Sequence, residues 1–340
     1  MARRYEPNHR SYLNGRLITG PDKMYFISAI LLMFIPEIPF LVTVCPLFVE
    51  YVTAAIYPIS IFLWLVSFVY LFITSYTDPG IVPRGVYNDQ ENPFASDHRQ
   101  PLYKTIVIRE IQHEVKWCET CSLYRPPRAN HCGICNSCIE HFDHHCPWVG
   151  NCIGRRNYKF FMYFLITLGF KCCFIIGFCI AHIVISAHRV REDHPMYSSA
   201  SVFGHALNAS HYLSIILIVY ALGGLMFVGS LGGFHCFLIA TGRTTNEKLK
   251  RSFKKGNPFN LGIIKNFIHV FFAPHYPSYY RHYKLKEREL VSLPSNQTAA
   301  AAAAGGSGSA IGTGNTNNNS SSGSSSSNRM NSPMDPTSPV

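Results

Sequence analysis

The sequence predicts an α-helical integral membrane protein: four transmembrane helices with a cytoplasmic cysteine-rich, zinc-binding domain between the second and third. Three observations carry that reading. Four apolar stretches are each long enough to cross a hydrocarbon core, which takes about 20 residues of helix. Lysine and arginine are dense on one side of those stretches and sparse on the other. Seven of the 12 cysteines fall between Cys118 and Cys152, interleaved with histidines. Averages hide all of this: mean hydropathy is only +0.07, because a polar tail dilutes the apolar runs.

The first apolar stretch runs from Met24 to Cys45, after a polar and basic lead (residues 1–23) without a small-residue cleavage site. It therefore reads as a retained helix rather than a signal peptide. Pro36, Glu37 and Pro39 fall inside it, so the helix is expected to kink or end early. The second stretch, Thr53 to Ser75, completes a first membrane unit over 24–75. The third, Phe160 to Ile185, and the fourth, Tyr212 to Ala240, form a second unit over 160–240.

Charge sets the orientation. Five lysines and arginines precede Met24, ten lie between Tyr76 and Lys159, and twelve follow Ala240. The link between the first two stretches has none, and the loop after the third has only Arg189 and Arg191. The positive-inside rule places both termini and the central loop in the cytoplasm. The net charge of +11 thus belongs to a membrane surface, and no nucleic-acid partner is expected. The cytoplasm also keeps thiols reduced, which argues against a disulfide framework.

The central segment, 76–159 with a core at 116–159, carries the metal-ligand pattern. Cys118 and Cys121 form one C-x2-C pair; His131, Cys132, Cys135 and Cys138 follow, then His145, Cys146 and Cys152. Zinc takes four ligands. Cys118, Cys121, His131, Cys132, Cys135, Cys138, His145 and Cys152 suffice for two closed structural sites, and Cys146 is left over. A loop with so few apolar residues would draw its folding energy from the metal.

The leftover cysteine lies in Asp143-His144-His145-Cys146-Pro147-Trp148. In an extended chain alternate side chains share a face, so His144 and Cys146 project together while His145 turns away toward a zinc. Asp143 could fix the tautomer of His144, making a nucleophile–base–orienter set. A neighbouring imidazole favours thiolate, the reactive form of cysteine. Cys146 as an idle or spare thiol in a zinc-stabilised membrane scaffold is the competing reading. The complete ligand set and the adjacent Asp-His argue against it.

These residues resemble the DHHC protein S-acyltransferases (palmitoyltransferases). The family pattern is matched by C-x2-C, Arg125-Pro126-Pro127-Arg128, H-C-x2-C-x2-C, Asp143-His144-His145-Cys146, and Asn151-Cys152 with Gly154. Asp78-Pro79-Gly80, Thr244-Thr245-Asn246-Glu247 and Asn257-Pro258-Phe259 with Asn266 resemble further family motifs. The likeness implies ping-pong transfer: Cys146 takes an acyl group from acyl-CoA, such as palmitoyl-CoA, and passes it to cytoplasmic cysteines of membrane-associated proteins. His144 would be the base and Asp143 its orienter. Two structural Zn2+ would be held, one by Cys118, Cys121, His131 and Cys138, the other by Cys132, Cys135, His145 and Cys152. The likeness also implies an endomembrane location, Golgi or endoplasmic reticulum with the plasma membrane as an alternative, and leaves room for an accessory subunit.

The Cys146 loop lies just before the third helix, so it is expected at the cytoplasmic surface of the bilayer, with the acyl chain among the helices. Arg155, Arg156 and Lys159 stand at that face, either meeting coenzyme A phosphates or serving as ordinary positive-inside charge. Asp78 and Thr245 read as turn and cap residues that tie helix ends to the zinc domain. Lys171 falls roughly 18 Å along the third helix. It could shorten the lipid cavity, pair with Glu37, or snorkel. The segment 241–295 contains an apolar run from Leu261 to Phe272, too short to span, that would lie on the membrane or pack on the helices. From 296 to 340 the composition is that of a disordered low-complexity tail.

Overall fold

A computed structural model describes residues 7–84, 102–208, 212–253 and 256–292. The tail expected from 296 to 340 lies outside the described residues, as does part of the 76–159 segment. Four helices are long and apolar enough to cross a membrane: α1 (Lys23–Tyr51), α2 (Ile56–Tyr76), α3 (Tyr158–Asp193) and, after a short helix α4 (Ser199–Asn208), α5 (Tyr212–Ala240). They mark a multi-pass membrane protein.

The first helix departs from expectation. It does not end at its prolines but runs on to Tyr51, passing through a π-helical stretch, Phe40–Val44. Pro36 has no N–H for the Leu32 carbonyl, which would otherwise be orphaned in an apolar setting. The Tyr220 hydroxyl donates to that carbonyl at 2.8 Å, and Trp64 Nε1 donates to the Met33 carbonyl at 3.2 Å. Neighbouring helices thus supply donors at the weakened turn.

Lys171 and Glu37 pair at 2.6 Å, with both side chains buried, and Lys171 also donates to Ser60 Oγ at 2.6 Å. Of the three readings open from the sequence, the Glu37 pair is the one formed. Two apolar clusters hold the helices together. One, built around Phe40, Phe48, Ile175 and Leu217, sits at the end remote from the cysteine-rich segment. The other, around Phe26, Leu71, Phe161 and Val228, reaches Cys146.

Between α2 and α3 the chain makes short antiparallel strands: β3 (Ile81–Val82), β4 (Tyr103–Ile108), β5 (Ile111–Cys118), β6 (Leu123–Tyr124), β7 (Asn130–Cys132), β8 (Ser137–Ile139), β9 (His144–Cys146) and β10 (Asn151–Ile153). An N-terminal hairpin, β1 (Arg10–Tyr12) with β2 (Leu17–Thr19), packs Ile18 into the same core. Gly154 is needed where it stands. A Cβ there would lie 2.6 Å from the Pro79 carbonyl oxygen and 2.9 Å from that of Glu140.

After α5 come α6 (Thr245–Leu249), α7 (Ile263–Phe272) and α8 (Tyr279–Ser292). The apolar run of α7 packs Phe267, Val270 and Phe271 onto the membrane helices and leaves Ile263, Ile264 and Phe272 exposed. Of the two placements considered from the sequence, packing on the helices is seen for the Phe267 face of α7.

Candidate active site

Strand pairing assembles two ligand sets. In the β7–β8 ladder His131 lies opposite Cys138, and in the β9–β10 ladder His145 lies opposite Cys152. Each C-x2-C turn then closes one set: Cys118, Cys121, His131 and Cys138 in one, Cys132, Cys135, His145 and Cys152 in the other. His131 Nδ1 stands 3.4–3.9 Å from its three sulfurs, and His145 Nδ1 3.4–3.7 Å from its own. A tetrahedron with zinc's bond lengths to sulfur and nitrogen has edges of about 3.6 Å. Both sets fit zinc, and both could hold it.

His145 presents its other nitrogen, Nε2, to Asp22 at 2.5 Å. A carboxylate on the far ring nitrogen fixes the tautomer of a ligating histidine. Asp22 was missed by sequence reasoning, because nothing local relates it to a residue 123 positions away.

β9 is extended, so His144 and Cys146 share one face and His145 the other. His144 Nδ1 lies 2.6 Å from Asp143 Oδ2, and the Cys146 side chain is within hydrogen-bonding reach of the same ring. Burial works against a charged imidazole, but the bonds to Asp143 and Cys146 outweigh it and raise the His144 pKa to about 9. Asp143 is itself buried. Burial pushes its pKa up, yet the His144 hydrogen bond and the Thr245 amide hold it below the usual value. Thr245 donates twice, from its backbone N–H to Oδ1 (2.8 Å) and from its hydroxyl to Oδ2 (2.7 Å). A capping box, Thr244 with Glu247, starts α6, and Glu247 also pairs with Arg128 at 2.7 Å. Asp78 plays a similar bracing part: its carboxylate accepts from Gly80 and Ile81 and pairs with Arg156 at 3.0 Å.

Two cavities meet this centre. An apolar one of about 560 Å³ runs between the helices from Cys146 and Trp148 past Phe161 and Leu165 to Lys171. A second is a cleft reaching Asp143 and lined by Arg155, Arg156, Lys159, Arg243, His269 and His275. Burial, then the nearby Arg155 and Arg128, lowers the His269 pKa; burial, then Arg156 and Lys159, lowers that of His275. Burial and the neighbouring cations both disfavour charge on these histidines, and the complement of a cleft lined this way is an anion. The three cations named from the sequence are all here, though not free. Arg156 is engaged by Asp78, Arg155 stacks on Tyr276, and Lys159 donates to the Ala273 carbonyl at 3.0 Å. Sequence reasoning missed Arg243, His269 and His275.

Chemically, the arrangement offers a thiol, an imidazole held by a braced carboxylate, an apolar slot on one side and a cationic cleft on the other. Comparison with known proteins agrees with that inventory. A family model described as DHHC palmitoyltransferase matches residues 111–252. The chain is 51% identical over 291 residues to "Putative ZDHHC-type palmitoyltransferase 1" of Dictyostelium discoideum, covering 86% of this chain and 60% of that one. It is 35% identical over 315 residues to "Protein S-acyltransferase 8" of Arabidopsis thaliana, covering 86% and 74%. It is 38% identical over 243 residues to "Palmitoyltransferase ZDHHC8" of Mus musculus, covering 71% and 29%. The chain thus spans about three-fifths of the length of the Dictyostelium protein. With a match of this extent carried on the ligand sets and the Asp143-His144-His145-Cys146 strand, the chain belongs to the DHHC palmitoyltransferase family.

Proposed function

We propose that the chain is a protein S-acyltransferase that carries a fatty acyl group from acyl-CoA, through Cys146, to cysteines of membrane-associated proteins. The observation that carries this is the position of Cys146, at the wall of the apolar cavity and within reach of His144, itself bound to Asp143. In the first half-reaction Cys146 Sγ gives its proton to His144 and attacks the thioester carbonyl. The new C–S bond replaces the bond to coenzyme A, whose sulfur leaves and takes up that proton. In the second half-reaction the acceptor thiol gives its proton to His144 and attacks the Cys146 thioester. Cys146 leaves and recovers the proton. Asp143 holds the His144 tautomer throughout, and Thr245 holds Asp143.

The apolar cavity accommodates the tail, each buried CH2 contributing about 0.8 kcal/mol. The cationic cleft, with Arg155, Arg156 and Lys159, receives the phosphates of coenzyme A. The two Cys/His sets would each hold a structural Zn2+, which shapes the loop that presents Cys146. We place the termini and the 76–159 domain on the cytoplasmic side of an endomembrane, with the membrane units at 24–75 and 160–240 and the C-terminal segment at 241–295.

The test is incubation of purified protein in detergent with labelled palmitoyl-CoA, wild type beside Cys146→Ser. Hydroxylamine-sensitive label on wild type alone is expected. An equally labelled Cys146→Ser would sink the assignment.

A further inference from the structure

His235 lies on α5, fully buried and 89 residues after Cys146 in the sequence, and it belongs to neither ligand set. One of its ring nitrogens is within 4.8 Å of the ligand atoms of both Asp143 and His144. Its ring centroid is 5.8 Å from that of His144 and 5.1 Å from that of Phe161. Phe161, on α3, in turn meets the edge of His144 at 5.5 Å. His144 therefore rests in a seat with one wall from α3 and one from α5. What joins the walls is a 3.0 Å hydrogen bond between the Tyr158 hydroxyl of α3 and His235 Nδ1.

A buried imidazole in an apolar helix is costly, and mere filling of the space would be met more cheaply by Phe or Leu. The polar atoms are used to lock the two helices together at the level of the base. We infer that the Tyr158–His235 pair is a positioning clasp: it fixes the walls that hold the His144 ring between Asp143 and Cys146. This rests on the acyl-enzyme reading above. The bond to Asp143 fixes one ring nitrogen of His144 but leaves the ring free to swing about it. The reacting nitrogen must stay within hydrogen-bond distance of Cys146, and the two walls restrict that swing.

Packing and clasp make opposite forecasts for paired substitutions. His235→Phe keeps a ring of similar volume and loses the hydrogen bond. His235→Asn loses the ring and keeps an acceptor near the position of Nδ1. The measurement is single-turnover labelling of Cys146 by palmitoyl-CoA in detergent, as a function of donor concentration, with zinc content as the control for folding. For His235→Phe and for Tyr158→Phe the maximal rate is expected to fall roughly ten- to a hundredfold. For His235→Phe the half-saturating donor concentration should stay within about twofold, since His235 lines neither cavity. His235→Asn, which keeps the bond but thins the α5 wall, should be clearly faster than His235→Phe. The double variant Tyr158→Phe/His235→Phe should be no slower than His235→Phe, because both remove one bond.

A fast His235→Phe beside a slow His235→Asn would overturn the clasp and leave packing as the role. A shift in half-saturation at constant maximal rate would overturn it as well. Wild type that never labels at Cys146 would remove the acyl-enzyme reading, and the clasp with it; wild type that labels beside an equally fast His235→Phe would remove the clasp alone.

Discussion

Asp22 and Thr245 do the same work from opposite ends of the chain: each supplies a fixed partner to the ring or carboxylate on which a functional atom depends. Asp22→Asn should weaken zinc at the His145 set ten- to a hundredfold, in the range of other carboxylate–histidine partners, with the His131 set unchanged. Competition against a chromophoric chelator reads this as one zinc released early. Release of both together, or of neither, would count against it. Thr245→Val removes the hydroxyl donor to Asp143 while the backbone donor remains. A hydrogen bond to a charged group contributes about 1.5–3 kcal/mol, so acylation of Cys146 should slow by about tenfold or more. An unchanged rate would make the Thr245 hydroxyl dispensable. At this scale the sequence was informative where chemistry is local. The eight clustered cysteines and histidines, the leftover thiol and the alternation along His144-His145-Cys146 can be read from spacing, because a C-x2-C turn and an extended strand impose their own geometry. Asp22, Tyr158 and His235 could not be read, because their partners are remote in the chain and a single Asp, Tyr or His carries no pattern.

Among the elements, α1 and α3 meet at the Lys171–Glu37 pair. Removing one partner of a buried pair leaves an uncompensated charge, which costs about 3–5 kcal/mol. Lys171→Met should therefore lower the melting temperature in detergent markedly. Adding Glu37→Gln should recover most of that loss, since replacing both charges is far milder than stranding one. A double variant as unstable as the single would mean that the pair is not the source. The starts of the membrane helices follow from apolar runs and were legible within about three residues, whereas α3 runs past the expected Ile185 to Asp193, where polar residues extend the helix. The continuation of α1 past Pro36 and Pro39 was not. A proline states which donor is missing, but only the assembled bundle shows that Tyr220 fills the need at Leu32.

Across the whole molecule, the membrane bundle has apolar clusters of its own, whereas the clusters of the segment between α2 and α3 are built around the cysteines of its Cys/His sets. Chelation of the metal should expose 102–157 to protease while the helical far-ultraviolet signal persists, since metal binding and folding are one process in such loops. Equal resistance with and without chelator would show that the strands suffice. The order of parts, helices around a cysteine-rich insertion, was legible from composition. A lipid cavity among the helices was expected, but the linings of the two cavities were not legible, because each draws on residues from several elements.

One side chain sets a schedule for assembly. Asn151 Nδ2 reaches the carbonyls of Ile18, Ser75 and Thr77, and its Oδ1 accepts from Cys152. Thr77 precedes Asn151 by 74 residues, so a ribosome adding about 5–20 residues per second makes the earlier site wait roughly 4–15 seconds for its partner. Through that interval the N-terminal hairpin and the end of α2 exist without the amide that joins them. The last cysteine of the second metal set, Cys152, emerges one residue after Asn151, so the joint and the metal site become available at the same moment of synthesis. A nascent chain stalled before Asn151 should thus have both loose, and one stalled well past it should have both closed.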